Sequence, residues 1–249
     1  MTKNTISASL SNSRLTDNQI HIWKIDINYP KVDLEYLYKD ILSNDEKVRV
    51  DRLRSEKDKI RFIVSRGLLR KSLSSYLNAP PSEIAFTYNK YGKPSVNSKY
   101  NLENIKFNVS HSKNLAVYAI TKNREVGIDL EYIRKVNKAD KIVGRFFTEE
   151  ESEFYYSQPD DKKELAFFTL WTRKEAYSKA RGMGIGLPAK EFDLKLIPTL
   201  ETKTTDVETK NIESRWSLVD IEIDSEYLAA LATEGSNIEI CHYQFETSL

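Results

Sequence analysis

Trp171-Thr172-Arg173-Lys174-Glu175-Ala176-Tyr177-Ser178-Lys179-Ala180-Arg181-Gly182 is the stretch on which the reading of this chain turns. It is built of good helix formers, contains no proline, and ends on glycine, the residue that most easily closes a helix. As a helix it places Trp171, Glu175 and Lys179 on one face, since they recur every four residues. A ring, a carboxylate and an ammonium in one column admit two readings. One is an i,i+4 Glu–Lys pair on a solvated face, worth about 0.2–0.5 kcal/mol. The other is a functional face.

A second stretch shifts the balance toward function. In Arg124-Glu125-Val126-Gly127-Ile128-Asp129-Leu130-Glu131, apolar Val126, Ile128 and Leu130 alternate with Gly127, Asp129 and Glu131, which is the period of a strand. Asp129 and Glu131 are two apart and leave the same side of the pleat. Aspartate is poor in strands, and two acids on one face repel unless a cation stands between them. Set beside the helix, Asp129, Glu131 and Glu175 make an all-oxygen donor set. It suits a hard divalent ion, Mg²⁺ first, that keeps positions open for substrate phosphates. Lys179, one turn past Glu175, would meet a phosphate held there.

Gly127-Ile128-Asp129-Leu130-Glu131 followed by Trp171-Thr172-Arg173-Lys174-Glu175-Ala176-Tyr177-Ser178-Lys179 resembles the paired signature of the 4′-phosphopantetheinyl transferases. Within them it resembles the double-length surfactin-synthetase-activating type. Tyr91-Gly92-Lys93-Pro94, Asn108-Val109-Ser110-His111-Ser112 and Phe146-Phe147-Thr148-Glu149-Glu150-Glu151 match the same family in the same order. Each piece is short, but five in order are specific. The resemblance runs over roughly residues 46–188.

The resemblance implies an enzyme that moves 4′-phosphopantetheine from coenzyme A to a serine of an apo acyl or peptidyl carrier protein. Mg²⁺, replaceable by Mn²⁺, would sit on Asp129, Glu131 and Glu175, and 3′,5′-ADP would leave. Glu175 would also take the serine proton, directly or through a metal-bound water, and Lys179 would stabilise the leaving phosphate. Coenzyme A contacts carry over to Lys93, Ser110 and His111, and less firmly to Arg49 and Arg61, with Lys47 weaker still. Residues 46–71 hold ten basic side chains against four acids. Most of these read as a solvated helix face, and a subset could line a pocket for a polyanion. Two other activities use similar parts: a metal-dependent phosphodiesterase on the same ester, and a noncatalytic module that binds coenzyme A or the carrier. The coenzyme A pocket speaks against the first, and the intact Asp129, Glu131, Glu175 and Lys179 against the second.

Bulk composition agrees with a globular chain of 249 residues, 40% hydrophobic and 30% charged. A net charge of +1 points neither to nucleic acid nor to an anionic membrane. One cysteine, Cys241, excludes an internal disulfide framework, and His21, His111 and His242 are too scattered for a zinc motif. No apolar run reaches membrane-spanning length and no signal-like segment opens the chain, so a cytoplasmic protein is expected. Gly182-Met183-Gly184-Ile185-Gly186 follows a helix and lacks a following Lys-Ser/Thr pair; it reads as a helix end and a bend.

The local pattern gives a strand over 19–27, a short acidic helical piece over 32–41 and a capping box at Ser43 and Glu46. A long helical region, broken once, then runs through residue 77. Strands follow over 84–88, 107–110 and 115–121, the last two joined through residues 111–114. A second capping box stands at Thr148 and Glu151. Residues 192–196 pattern as a strand, 200–213 as a polar hairpin or loop, and 214–223, 227–233 and 237–245 as closing strands. The second half replays the first: 57–77 resembles 162–181, 84–88 resembles 192–196, and Leu115-Ala116-Val117-Tyr118-Ala119 resembles Leu228-Ala229-Ala230-Leu231-Ala232. The expected fold is therefore α+β, a pseudo-twofold duplication of halves 1–122 and 123–249. Each half would be a small antiparallel sheet with a packed long helix, and the site would lie between them in a monomer.

Overall fold

In the computed structural model, which describes residues 5–7, 15–27, 32–183 and 216–245, helices and sheets alternate in an α+β arrangement. Strands β1 (Thr5–Ser7) and β2 (Gln19–Asp26) precede a short helix α1 (Leu34–Tyr36), which runs into one π-turn (Leu37–Ile41). Helices α2 (Asn44–Arg52) and α3 (Glu56–Leu77) follow, then β3 (Phe86–Tyr88), β4 (Pro94–Val96), β5 (Ile105–Ser112), β6 (Leu115–Lys122) and β7 (Val126–Tyr132). Helices α4 (Ala139–Phe146), α5 (Glu149–Ser157) and α6 (Lys163–Ala180) lead to β8 (Trp216–Ile221), β9 (Tyr227–Glu234) and β10 (Glu239–Gln244).

Local chemistry explains the starts and stops. Both capping boxes form: Glu46 accepts from Ser43 N at 3.2 Å, and Glu151 accepts from Thr148 N at 2.9 Å. Asn78 takes left-handed φ (49°) to end α3, and Gly182 (φ 63°) turns the chain just past α6.

Two sheets lie face to face, each covered on its outer side by one long helix. The order β1-β10-β2-β6-β5 makes one sheet and β7-β9-β8 the other, while β3 and β4 form a separate hairpin. Strand β6 is buried on both faces. Ala116, Tyr118 and Ile120 pack under α3 with Val64, Leu68 and Leu73, while Leu115, Val117 and Ala119 pack against Val126, Ile128, Leu130 and Leu231 of the second sheet. Period-two alternation thus serves two cores from one strand, and each large apolar side chain so buried contributes roughly 1.5–3 kcal/mol.

Two local expectations change. The first sheet is mixed, not antiparallel: β10 lies parallel to β2 on one side and to β1 on the other. The chain end is inserted between strands from its beginning, a pairing no local pattern encodes. In addition, His111 and Ser112 belong to β5, which pairs with β6 as far as Ser112–Leu115. The hairpin turn is Lys113–Asn114, with Lys113 at φ 48°. The expected strand over 192–196, the loop over 200–213 and the end of the bend after Gly182 lie outside the described residues.

A buried polar relay closes the first sheet. Trp23 Nε1 donates to Tyr76 Oη at 2.9 Å, Tyr76 Oη stands 2.8 Å from His21 Nδ1, and Tyr243 Oη 3.4 Å from His21 Nε2. It joins β2, α3 and β10. Desolvation pushes the His21 pKa down to about 4, partly offset by Glu239.

Candidate active site

The site begins with a missing side chain. Residues Val126, Ile128 and Leu130 of β7 face the sheet–sheet core, so Gly127, Asp129 and Glu131 turn toward α6. A Cβ on Gly127 would stand 2.1 Å from Ala176 O and 2.2 Å from Ala180 N. Helix α6 therefore rests directly on the strand backbone, with small Ala176 and Ala180 at the contact. That approach brings Lys179 within 2.6 Å of Asp129 Oδ1.

Strand β7 is an edge of its sheet, and its outward N–H groups need partners. Side chains from β5 supply them. Ile128 N donates to Asn108 Oδ1 at 2.9 Å, Leu130 N to Ser110 Oγ at 3.1 Å, and Tyr132 N to Ser112 Oγ at 3.1 Å. Three residues at alternate positions of one strand thus form a side-chain ladder joining the two sheets. The two hydroxyls then use their protons on the acids: Ser110 Oγ donates to Asp129 Oδ1 and Ser112 Oγ to Glu131 Oε2, both at 3.0 Å. The ladder fixes the backbone and aims both carboxylates.

Positive charge fills the cluster from two sides. Lys179 Nζ also donates to Ser110 Oγ at 3.0 Å and to Ile128 O at 3.3 Å. Arg134 Nη1 meets Glu131 Oε2 at 2.9 Å and Tyr132 O at 2.9 Å. Glu175 lies in the same field. Its pKa is pushed up to about 7, first by desolvation, then by Asp129, against Lys179, with a further push from Glu131. His111 is exposed on β5, yet partial desolvation lowers its pKa, as do Lys179 and Arg61, while Asp129 and Glu131 oppose them.

Asp129 is only 5% exposed, and its Oδ2 is buried with no hydrogen-bond partner. An orphaned carboxylate oxygen beside two further acids suits a hard cation. Among the described residues, no three carboxylate, histidine or cysteine side chains converge closely enough to hold a metal as they stand. Lys179 and Arg134 provide the neutralising charge instead. The donor chemistry fits a divalent ion, and its binding would require those cations to give way.

The structure thus brings Ser110, Asp129 and Lys179 into direct contact and sets Glu131, Glu175, His111 and Arg61 within their electrostatic reach. Arg61 Nη2 donates to Asn114 Oδ1 at 3.3 Å, and its Nε is buried without a partner. Arg49 stands on α2 with its guanidinium 4.9 Å from the Phe62 ring centroid, an arrangement Arg66 shares at 5.8 Å. Lys47 donates to Lys39 O at 2.6 Å. Lys93 has different company: Glu125, Val126 O and Ala180 O. Trp171 stacks on Phe167 and meets Phe146 edge-on, so it packs below the site. Asn108, Ser112 and Arg134 join the site without a role in the sequence-based expectation. The signal for the first two was the small polar residues at alternate positions 108, 110 and 112.

Residues 125–232 match the family described as the 4′-phosphopantetheinyl transferase superfamily, and residues 31–123 match the family described as the 4′-phosphopantetheinyl transferase N-terminal region. The chain is 36% identical over 224 residues to the 4′-phosphopantetheinyl transferase HetI of Nostoc sp., covering 90% of this chain and 91% of that one. It is 40% identical over 136 residues to the 4′-phosphopantetheinyl transferase gsp of Aneurinibacillus migulanus, covering 55% and 54%. It is 28% identical over 218 residues to the L-aminoadipate-semialdehyde dehydrogenase-phosphopantetheinyl transferase of Xenopus laevis, covering 82% and 70%. With the two family matches side by side along one chain and the β7–α6 acids and lysine gathered at one place, this protein belongs to the 4′-phosphopantetheinyl transferase superfamily of enzymes.

Proposed function

We propose that the chain transfers 4′-phosphopantetheine from coenzyme A to a serine hydroxyl of an apo acyl or peptidyl carrier protein. The observation that carries this reading is the Ser110–Asp129–Lys179 contact, with Glu131 and Glu175 beside it. In the reaction the serine oxygen bonds to the β-phosphorus of coenzyme A, the P–O bond of the pyrophosphate bridge breaks, and 3′,5′-ADP carries the electron pair away. Glu175 accepts the serine proton, directly or through an intervening water. Lys179, already poised between Ser110 and Asp129, stabilises charge on the leaving phosphate. Arg49, Arg61, Ser110 and His111 bind the phosphates of coenzyme A. Asp129, Glu131 and Glu175 would hold Mg²⁺, which when bound neutralises pyrophosphate oxygens and favours in-line displacement.

We read the two helix-covered sheets as duplicated halves, 1–122 and 123–249, with β10 returned to the first sheet. A site between the halves of one chain makes a monomer sufficient. Among the described residues no helix is long and apolar enough to cross a membrane, and we place the protein in the cytoplasm. One assay separates this reading from its rivals: incubation with coenzyme A, Mg²⁺ and an apo carrier, followed by mass spectrometry of carrier and small molecules. Transfer adds phosphopantetheine to the carrier serine and releases 3′,5′-ADP. A carrier that stays unmodified refutes the reading, whether coenzyme A is merely bound or a holo carrier is stripped by a phosphodiesterase.

A further inference from the structure

The turn between β3 and β4 holds both sides of the site together. Asn89 Oδ1 shapes the turn by accepting from Tyr91 N and Lys93 N, each at 2.9 Å, while Asn89 Nδ2 donates to Gly182 O at 2.7 Å. Lys93 reaches inward from the same turn. Its Nζ donates to Ala180 O at 2.9 Å, Glu125 Oε2 at 3.0 Å and Val126 O at 3.2 Å. An ammonium has three protons, and here each has an acceptor. The side chain is 15% exposed, and Glu125 is held in turn by Lys106 at 3.0 Å. Ala180 O is one of the carbonyls left without a partner at the negative end of α6, where a cation is favoured. Val126 opens β7.

One ammonium therefore ties the last turn of α6, which carries Glu175 and Lys179, to the first residue of β7, which carries Asp129 and Glu131. We propose that Lys93 is a positioning residue whose ammonium locks the end of α6 onto the start of β7, keeping Lys179 and Glu175 in register with Asp129, rather than a phosphate ligand of coenzyme A. This inference rests on the transfer reading above. Recruiting Lys93 to a phosphate would take its donor from two part-buried carbonyls and leave Glu125 to Lys106 alone, whereas Lys179 and His111 already face the cluster.

The test compares wild type with Lys93→Met, which keeps the aliphatic stem and removes the donors, and with Glu125→Gln. Two readouts are taken: steady-state transfer with coenzyme A varied, and amide hydrogen exchange over residues 176–183. For Lys93→Met, kcat should fall about 10- to 100-fold through misplacement of the reacting groups. KM for coenzyme A should stay within about twofold, since no binding contact is lost. Exchange at the end of α6 should quicken about tenfold or more. Glu125→Gln should show the same split more weakly, and it carries the comparison if Lys93→Met does not fold. A KM raised about tenfold with kcat kept would mean that Lys93 binds the substrate, and unchanged kinetics and exchange would mean that the tie positions nothing; either result overturns the proposal. A wild-type chain with no transfer activity would refute the transfer reading, and the exchange comparison would still decide the tie.

Discussion

Substituting Gly127 by alanine tests how closely helix and strand must approach. The added Cβ would lie 2.1 Å from Ala176 O and 2.2 Å from Ala180 N, both backbone atoms of α6. Ordinary contact begins near 3.4 Å, so α6 must retreat by about 1.3 Å, because backbone cannot rotate aside. Overpacking of this kind costs about 1–3 kcal/mol. The lost chain entropy of glycine would return about 0.4–1 kcal/mol, which does not cancel it. A net loss of about 1–2 kcal/mol in a chain of this size lowers Tm by roughly 2–8 °C. Activity should suffer more, since a shift of about 1 Å between reacting groups can cost about 10²-fold. Gly144 is the control: it sits inside α4, and nothing lies within 4 Å of its added Cβ. Gly144→Ala should stabilise by up to about 1 kcal/mol and leave transfer unchanged. Circular-dichroism melts and holo-carrier formation would be measured for both. A Gly127→Ala protein that melts and turns over like wild type would refute the close approach on which the site depends.

Three further outcomes follow from buried charge and from the acid cluster. His21 stays neutral when folded down to about pH 4 but protonates near 6.5 when unfolded. Its contribution is therefore fully present above about pH 6.5 and is lost as pH falls toward 4, by about 3 kcal/mol in all; urea midpoints that fall equally with pH in wild type and His21→Gln would contradict this. The Lys174–Glu151 ion pair, at 2.8 Å with exposures of 7% and 0%, ties α6 to the capping box of α5. Lys174→Met should cost about 3–5 kcal/mol in chemical denaturation, and replacing both residues by apolar ones should cost less than that; a small loss in the single variant would show the pair to be dispensable. Removing divalent ions with EDTA should stop transfer, with Mg²⁺ or Mn²⁺ restoring it, because Asp129, Glu131 and Glu175 repel one another. Full turnover in chelated buffer would remove the metal from the account.

Much of this was legible because it is local. The Ser43–Glu46 and Thr148–Glu151 boxes, the two-residue period of β7 and the four-residue column of α6 are short-range patterns, and each forms where the sequence places it. What was not legible is long-range. Nothing near Glu239 announces that β10 lies parallel to β2 in the interior of the first sheet. The reach of β5 through His111 and Ser112 was hidden because those polar residues look like a turn; their environment is set by β7, a strand of the other sheet. The ladder from Asn108, Ser110 and Ser112 answers unpaired N–H groups that exist only because β7 is an edge. The partners of Lys93 show the same limit: nothing local to its turn announces Ala180 O, Val126 O and Glu125 around its ammonium.

The proposed transfer requires Glu175 to work within the acid cluster, whereas acids elsewhere on nearby helices are not required. Glu175→Gln keeps size and helix propensity, so folding should survive, while the charge and the proton acceptor are removed. Loss of a general base typically costs roughly 10²- to 10⁴-fold, and a weakened hold on a cation would add to that. Glu149, exposed in the first turn of α5, contributes only a helix-dipole interaction of about 0.3–1 kcal/mol, so Glu149→Gln should leave the rate nearly unchanged. Mass spectrometry of holo-carrier formation, with circular dichroism confirming both folds, should show Glu175→Gln at least about 10²-fold slower than Glu149→Gln; a folded Glu175→Gln protein that keeps pace with wild type would contradict the account.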